Sequence, residues 1–182
     1  AYAQLRQFEQ ENHLPKLRHR IEHVQVISPH DAGRLAQLGV IASMQPIHAL
    51  SDMHMADQYW GERARLSYAW QTQLGYGARL AFGSDAPVDS PNPFWGLFAA
   101  TARRQPGSPV EAGWFPEERV SLQDALLAYT AGAAFAAGAE KRQGQGAKRP
   151  LPEICVHELI EAQAGVRPHD TAVICGSDRL TY

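Results

Sequence analysis

Short apolar runs alternate with amphipathic stretches along most of the chain. In the first 14 residues, Leu5 and Phe8 share one helical face, Leu14 adds a further apolar position, and Pro15 is expected to end that helix. Arg20–Ile27 changes period. Ile21, His23, Gln25 and Ile27 face one way, Glu22, Val24 and Val26 the other, and the β-branched apolar residues predict a strand. Ser28-Pro29-His30-Asp31 reads as a helix start, with Ser28 as cap and Pro29 in the first turn. Leu35 and Leu38 continue its apolar face and Gly39 stops it. Val40–Met44 is almost wholly apolar, as a strand buried on both faces should be. Gln45–Trp60 reads as a long loop rich in His and Asp, and Glu62–Leu74 as a helix. Arg79–Phe82 is a third short strand, running into Gly83-Ser84-Asp85. A helix is expected over Phe94–Arg103, then a Pro/Gly-rich connection. A second capping box follows at Ser121–Asp124, opening a helix whose stripe is Leu122, Ala125, Leu126, Tyr129 and Ala133.

Strands alternating with helices predict an α/β fold around a parallel sheet. In such folds the C-terminal edge of the sheet carries the chemistry, and here polar, ionisable residues follow the strands. The pattern weakens near Gly138. Residues 138–152 hold Gly144, Gly146, Pro150 and Pro152 among four basic residues, which is a linker signature. Beyond it, Val156–Ala164 reads as a short helix and Thr171–Cys175 as a strand. The expected organisation is therefore 1–137, a linker over 138–152, and a short α/β tail over 153–182.

Composition narrows the classes. The 182 residues are 45% hydrophobic and 20% charged, enough to bury a core. A net charge of −2 gives no electrostatic footprint for nucleic acid. No apolar run reaches the ~18 residues of a membrane span, and Ala1–Gln10 is too polar for a secretory leader. Cys155 and Cys175 make no disulfide framework, so a reduced, cytoplasmic setting is expected. Both ends read as cut, with helical pattern from the first residue and no closing element at Leu180-Thr181-Tyr182.

Several familiar motifs are absent. There is no phosphate-binding G-x-x-x-x-G-K-[ST] and no G-x-S-x-G elbow. His157-Glu158-Leu159-Ile160-Glu161 lacks the second histidine of a zinc-protease helix. The stronger candidates are His23, on its strand, and Asp85, directly after the third. Imidazole nitrogen and carboxylate oxygen are zinc-type ligands, and a carboxylate beside a metal can relay a proton. A hydrogen-bonded core histidine and an ordinary Gly-Ser-Asp turn fit the spacing as well. The 45–57 segment, with His48, Asp52, His54 and Asp57, reads either as a substrate-lining loop or as a solvated one.

The order of RIEHVQ (20–25), GVIASMQP (39–46), His48 with Ser51-Asp52-Met53, and GARLAFGSDAPV (77–88) resembles the metal-dependent amidohydrolase superfamily. Within it, the match is to the subgroup related to N-substituted formamide deformylases. Asn92-Pro93, GWFPE (113–117) and ALLAYT (125–130) continue the match to about residue 144. The resemblance implies strands six to eight of a (β/α)8 TIM-type barrel, an incomplete portion of it, with His23 on the sixth strand and Asp85 closing the eighth. It implies a divalent metal, zinc first, held by His23 and Asp85, with a hydrogen bond to the bound water as the other role open to His23. Metal-activated water would hydrolyse a non-peptide carbon–nitrogen bond of a small amide-type substrate. Asp85 would be the catalytic proton shuttle, and His48 and Asp52 would lie against the substrate. No nucleic-acid or membrane partner is implied.

Two departures qualify that expectation. The family's His-x-His pair, strand-four bridging group and strand-five His have no counterpart here, so the isolated chain is expected to be inactive. Of the family's C-terminal segment leading into a small β-sandwich, only Glu140 and Gly144 fit. Instead Cys155–Gln163, Pro168, Ala172-Val173, Gly176 and Leu180-Thr181-Tyr182 resemble the entry segment of a nonribosomal peptide synthetase adenylation domain. The alternatives are thus a synthetase linker or adenylation-associated segment, or a non-enzymatic chimeric fragment.

Overall fold

The computed structural model describes residues 2–14, 17–110, 113–141, 164–169, 171–175 and 178–181. The chain divides into two units, Ala1–Gln145 and Gly146–Tyr182.

The first unit is built on three short strands, β1 (Arg20–Glu22), β2 (Ile41–Met44) and β3 (Leu80–Phe82), in the order β1-β2-β3. Both pairings are parallel. Ile21 lies opposite Ala42, and Ser43 lies opposite Ala81. In β2 and β3 nearly every residue is buried, in keeping with their almost wholly apolar sequence. β1 is an exposed edge, with Ile21 half exposed.

β1 is shorter than the expected Arg20–Ile27. His23 (φ 69°) and Val24 (φ 45°) adopt left-handed backbone, which breaks the extended geometry after Glu22. The segment touches strand geometry again only at Val26, bridged antiparallel to Ser67.

The helices are α1 (Tyr2–Glu11), α2 (Arg34–Leu38), α3 (His48–Trp60), α4 (Trp70–Gly75), α5 (Pro93–Ala102), α6 (Leu122–Leu127) and α7 (Ala133–Ala136). Ser28 makes no side-chain cap; a 3-10 turn at Pro29–Asp31 precedes α2 instead. Gly39 ends α2 in the left-handed conformation (φ 65°), as its position suggested. The expected 45–60 loop is largely helix. Ala49, Met53 and Ala56 recur along one buried stripe of α3, and the polar residues occupy the other faces. The expected 62–74 helix is split into a 3-10 segment (Gly61–Leu66) and α4, separated by Ser67–Ala69.

α6 begins as expected, the Ser121 hydroxyl accepting the Asp124 amide at 3.0 Å. Its buried face is rotated from the expected stripe. Ala125, Ala128, Gly132 and Ala134 face the core, whereas Leu122, Leu126 and Leu127 are exposed. The cause is close approach to β3. The helix widens into a π turn at Ala128–Gly132 and packs on that strand. A Cβ on Gly132 would lie 2.1 Å from the Leu80 carbonyl oxygen.

Beneath the sheet, Met44, Met53, Trp70, Leu80, Phe82 and Trp114 form the core. Arg103 is fully buried within it, its guanidinium 4.5 Å from the Trp70 ring and 5.0 Å from Trp114. Its nitrogens donate to the carbonyls of Trp114, Tyr68 and Ser67. Burial lowers its pKa to about 10, so it stays charged at neutral pH. It thereby ties the end of α5 to the loops at Ser67-Tyr68 and Trp114.

In the second unit, β4 (Thr171–Cys175) pairs antiparallel with β5 (Asp178–Thr181). β4 coincides with the expected strand; β5 was not anticipated. Of the expected helix at Val156–Ala164, all but Ala164 lies outside the described residues. No helix among the described residues is long and apolar enough to cross a membrane.

Candidate metal centre

Three segments leave the same edge of the sheet. His23 follows β1 directly, His48 opens α3 just beyond β2, and Asp85 lies shortly after β3. Parallel pairing puts all three at the strands' C-terminal ends, where neighbouring strands are ~4.8 Å apart. Two backbone bonds fix the exits. The His23 amide donates to the Ser43 carbonyl at 2.7 Å, and the Gly83 amide to the Met44 carbonyl at 3.1 Å.

Their ligand atoms converge. One donor atom each from His23, His48 and Asp85 lies within 4.8 Å of the others. The two imidazoles stack with centroids 5.9 Å apart and planes inclined by 23°. His23 and Asp85 both hold left-handed backbone (φ 69° and 56°), a conformation that costs free energy.

His23 is oriented by Gln45. Its Nδ1 lies 2.8 Å from the Gln45 Oε1, and Gln45 is itself buried. Donation from Nδ1–H to that oxygen leaves Nε2 with its lone pair, the tautomer a metal ligand needs. His48 is buried and its Nε2 has no hydrogen-bond partner among the described residues. An orphaned buried nitrogen is costly, and a cation in the cluster would satisfy it. Two imidazole nitrogens and one carboxylate suit a divalent first-row metal, and three protein ligands with an open position are the pattern of catalytic zinc. The residues present therefore fit a metal.

The cluster lines a cleft of about 430 Å³ shared with Gln25, Ser51, Asp52 and Asp89. Asp52 stands one turn beyond His48 on α3. It accepts a hydrogen bond from the Tyr68 hydroxyl, and the Gln25 amide donates to both Asp52 (3.3 Å) and Tyr68 (3.1 Å). Burial and the Asp52 carboxylate push the Tyr68 phenol above its ordinary pKa, so it remains a neutral donor. Of the other residues in this segment, His54 is exposed, and Asp57 accepts the Trp114 indole N–H at 2.8 Å. Gln25, Gln45 and Tyr68 were not singled out from the sequence. The available signals were Gln25 on the same face as His23 and Gln45 directly following a buried strand.

Residues 1–147 match the Amidohydrolase family. The chain belongs to that family. It is 43% identical over 122 residues to Protein LONG AFTER FAR-RED 3 of Arabidopsis thaliana, covering 66% of this chain and 21% of that protein. It is 30% identical over 138 residues to YtcJ of Bacillus subtilis (strain 168), covering 74% and 26%. Among solved structures it resembles an uncharacterised metal-dependent hydrolase from Pyrococcus furiosus (30% identity, TM-score 0.56, 72% of this chain and 26% of that one). A second, from Pyrococcus horikoshii OT3, matches at 25% identity and TM-score 0.59, covering 73% and 26%. The chain thus spans about a fifth to a quarter of these relatives. A metal cofactor accords with these neighbours and with the His/Asp cluster.

Proposed function

We propose that this chain supplies a metal-binding edge to an amidohydrolase that cleaves a carbon–nitrogen bond other than a peptide bond. The observation that carries the reading is the convergence of His23, His48 and Asp85, with His48 Nε2 buried and without a partner among the described residues. In this reading β1, β2 and β3 correspond to the sixth, seventh and eighth strands of a (β/α)8 barrel, and the metal is zinc. A bound zinc would supply Lewis acidity, polarising a carbonyl and acidifying a coordinated water.

The chain's own residues have separable tasks. His23 and His48 donate neutral nitrogen, and the Gln45 oxygen keeps His23 in the required tautomer. Asp85 is exposed at the cleft mouth, where its carboxylate can take a proton from attacking water and deliver it to the leaving nitrogen. Asp52, pinned by Tyr68 and Gln25, presents a fixed acceptor to an N–H of the substrate. Because the chain spans about a quarter of its relatives, turnover is proposed for a longer polypeptide and metal binding for this chain. A reduced, cytoplasmic setting remains part of the reading, supported by the two isolated cysteines. For residues 153–182 the support for an adenylation-like stub is sequence resemblance alone.

The test is zinc titration of the 182-residue chain by calorimetry. One zinc per chain is expected, with His23→Ala and Asp85→Ala each weakening it strongly. Stoichiometric zinc binding unaffected by both substitutions would overturn the assignment. In a polypeptide with turnover, Asp85→Asn should abolish it, since an amide cannot accept and relay the proton.

A further inference from the structure

The metal-lined cleft does not end at its ligands. Ser51 and Asp89 also border a second cleft of about 500 Å³, so the two meet at a saddle formed by α3 on one side and the loop after β3 on the other. The result is a trough with different ends. One end is polar and ligand-lined. The other is walled by Ile47, Leu50, Trp95 and Pro106.

The far end is built to receive something flat and apolar. Ile47 is buried, yet Trp95 is 44% exposed, so an indole surface is open beside an apolar wall. Trp95 is held in place. It sits in the first turn of α5, whose Asn92 cap accepts the Phe94 amide at 3.0 Å, and it packs edge-on against Phe98 at 6.5 Å. Part of the polar lining is engaged: the Gln105 amide donates to the Leu50 carbonyl, Asp89 Oδ1 accepts the Ser90 amide at 2.7 Å, and Ser90 Oγ accepts the Asn92 amide at 3.3 Å. Ser51 and Asp89 border both clefts and so stand at the saddle rather than at the far end. An aromatic ring gains stacking and desolvation there against Ile47, Leu50, Trp95 and Pro106.

We propose that the Trp95 end of this trough is a specificity subsite that takes an aryl substituent of the substrate while its carbon–nitrogen bond lies at the His23–His48–Asp85 end. The inference rests on the metal-hydrolase reading for what occupies the polar end; the subsite itself does not need the metal. Trp95 is then a specificity residue, and binding at it would fix the reacting bond in place from a distance.

The experiment titrates phenylacetamide, acetamide and glycinamide into the chain with and without zinc. The indole N–H signal of Trp95, assigned with Trp95→Phe, is followed by NMR in the parent, probe affinity is read in parent and variants alike from the probes' own NMR signals, and zinc affinity is measured separately. Phenylacetamide should move that signal and bind about tenfold more tightly than acetamide, the worth of a good aromatic contact. Trp95→Ala should bring phenylacetamide down to the acetamide level with zinc affinity unchanged, and Trp95→Phe should keep most of the preference. Equal affinity for phenylacetamide and acetamide, or tightest binding of glycinamide, overturns the subsite. A Trp95 response that persists while zinc fails to bind supports the subsite and overturns the metal reading instead.

Discussion

The imidazole Nδ1 of His23 and the side-chain oxygen of Gln45 lie 2.8 Å apart across two adjacent parallel strands. That contact joins the end of β1 to the end of β2 and sets the protonation pattern of the histidine. Replacing Gln45 by Ala removes the acceptor. Zinc affinity is expected to fall ~10–100-fold, the usual loss when a ligand's outer partner is removed. Gln45→Glu retains an acceptor at the same reach and should hold affinity much closer to the parent. Calorimetric zinc titrations of both variants check this; equal losses would mean Gln45 serves packing alone.

His48 and Asp52 are one helical turn apart and line the same cleft, but their partners differ. His48 Nε2 has no hydrogen-bond partner among the described residues, whereas Asp52 is engaged by Tyr68 and Gln25. His48→Ala should therefore weaken zinc by at least as much as the loss of an outer-shell partner, ~10–100-fold. Asp52→Asn should leave zinc affinity within about twofold while weakening amide probes that offer an N–H, because an acceptor of full charge is lost. Zinc titration with either variant, followed by acetamide titration, separates the roles. Unchanged zinc binding by His48→Ala would remove it from the ligand set.

The strands buried on both faces were legible because they are almost wholly apolar, with Ser43 the one polar residue: β2 and β3 differ from the expected spans by one residue at the start. β1 was overextended because the alternation of Ile21, His23, Gln25 and Ile27 continues past the point where the backbone turns. A left-handed histidine leaves no trace in a hydrophobic pattern. α3 was hidden for a different reason. Its buried stripe is mostly alanine, whose weak hydrophobic signal is masked by the His and Asp residues on the other faces. His23, Asp85, His48 and Asp52 were visible as residue types beside strand ends. Their convergence, and the roles of Gln45 and Tyr68, depend on contacts across elements distant in sequence.

Gly132 fixes the spacing between the π turn and β3. An added Cβ would meet the Leu80 carbonyl oxygen at 2.1 Å, the Leu80 carbonyl carbon at 3.2 Å and the Leu127 oxygen at 3.4 Å. These are backbone atoms, so no side-chain rotation relieves the clash. Gly132→Ala is expected to cost about 1–3 kcal/mol, read as a lower midpoint of urea unfolding. Gly75→Ala, where a Cβ meets nothing within 4 Å, is the matched control and should be neutral or slightly stabilising. A neutral Gly132→Ala would mean that the helix does not approach the strand so closely.

The last turn of the first unit is held by a charge pair whose strength depends on pH. Arg18 Nη2 reaches Glu140 Oε1 at 2.5 Å and Nη1 reaches Oε2 at 2.8 Å, with Nη1 also donating to the Phe135 carbonyl at 2.6 Å. The Arg18 hydrogen bonds, aided by the local backbone, lower the Glu140 pKa from 4.5 to about 2. The folded form thus holds the carboxylate ionised where the unfolded chain would protonate it. The pair's contribution is complete above about pH 4.5, declines as pH falls through the interval down to about 2, and is absent below it. Because Glu140 is solvent-exposed, salt should weaken the contribution as well. The parent chain should therefore exceed Glu140→Gln in urea midpoint at pH 6, and the gap should close toward pH 2. A gap independent of pH between 6 and 2 would show that the carboxylate charge contributes nothing to this contact.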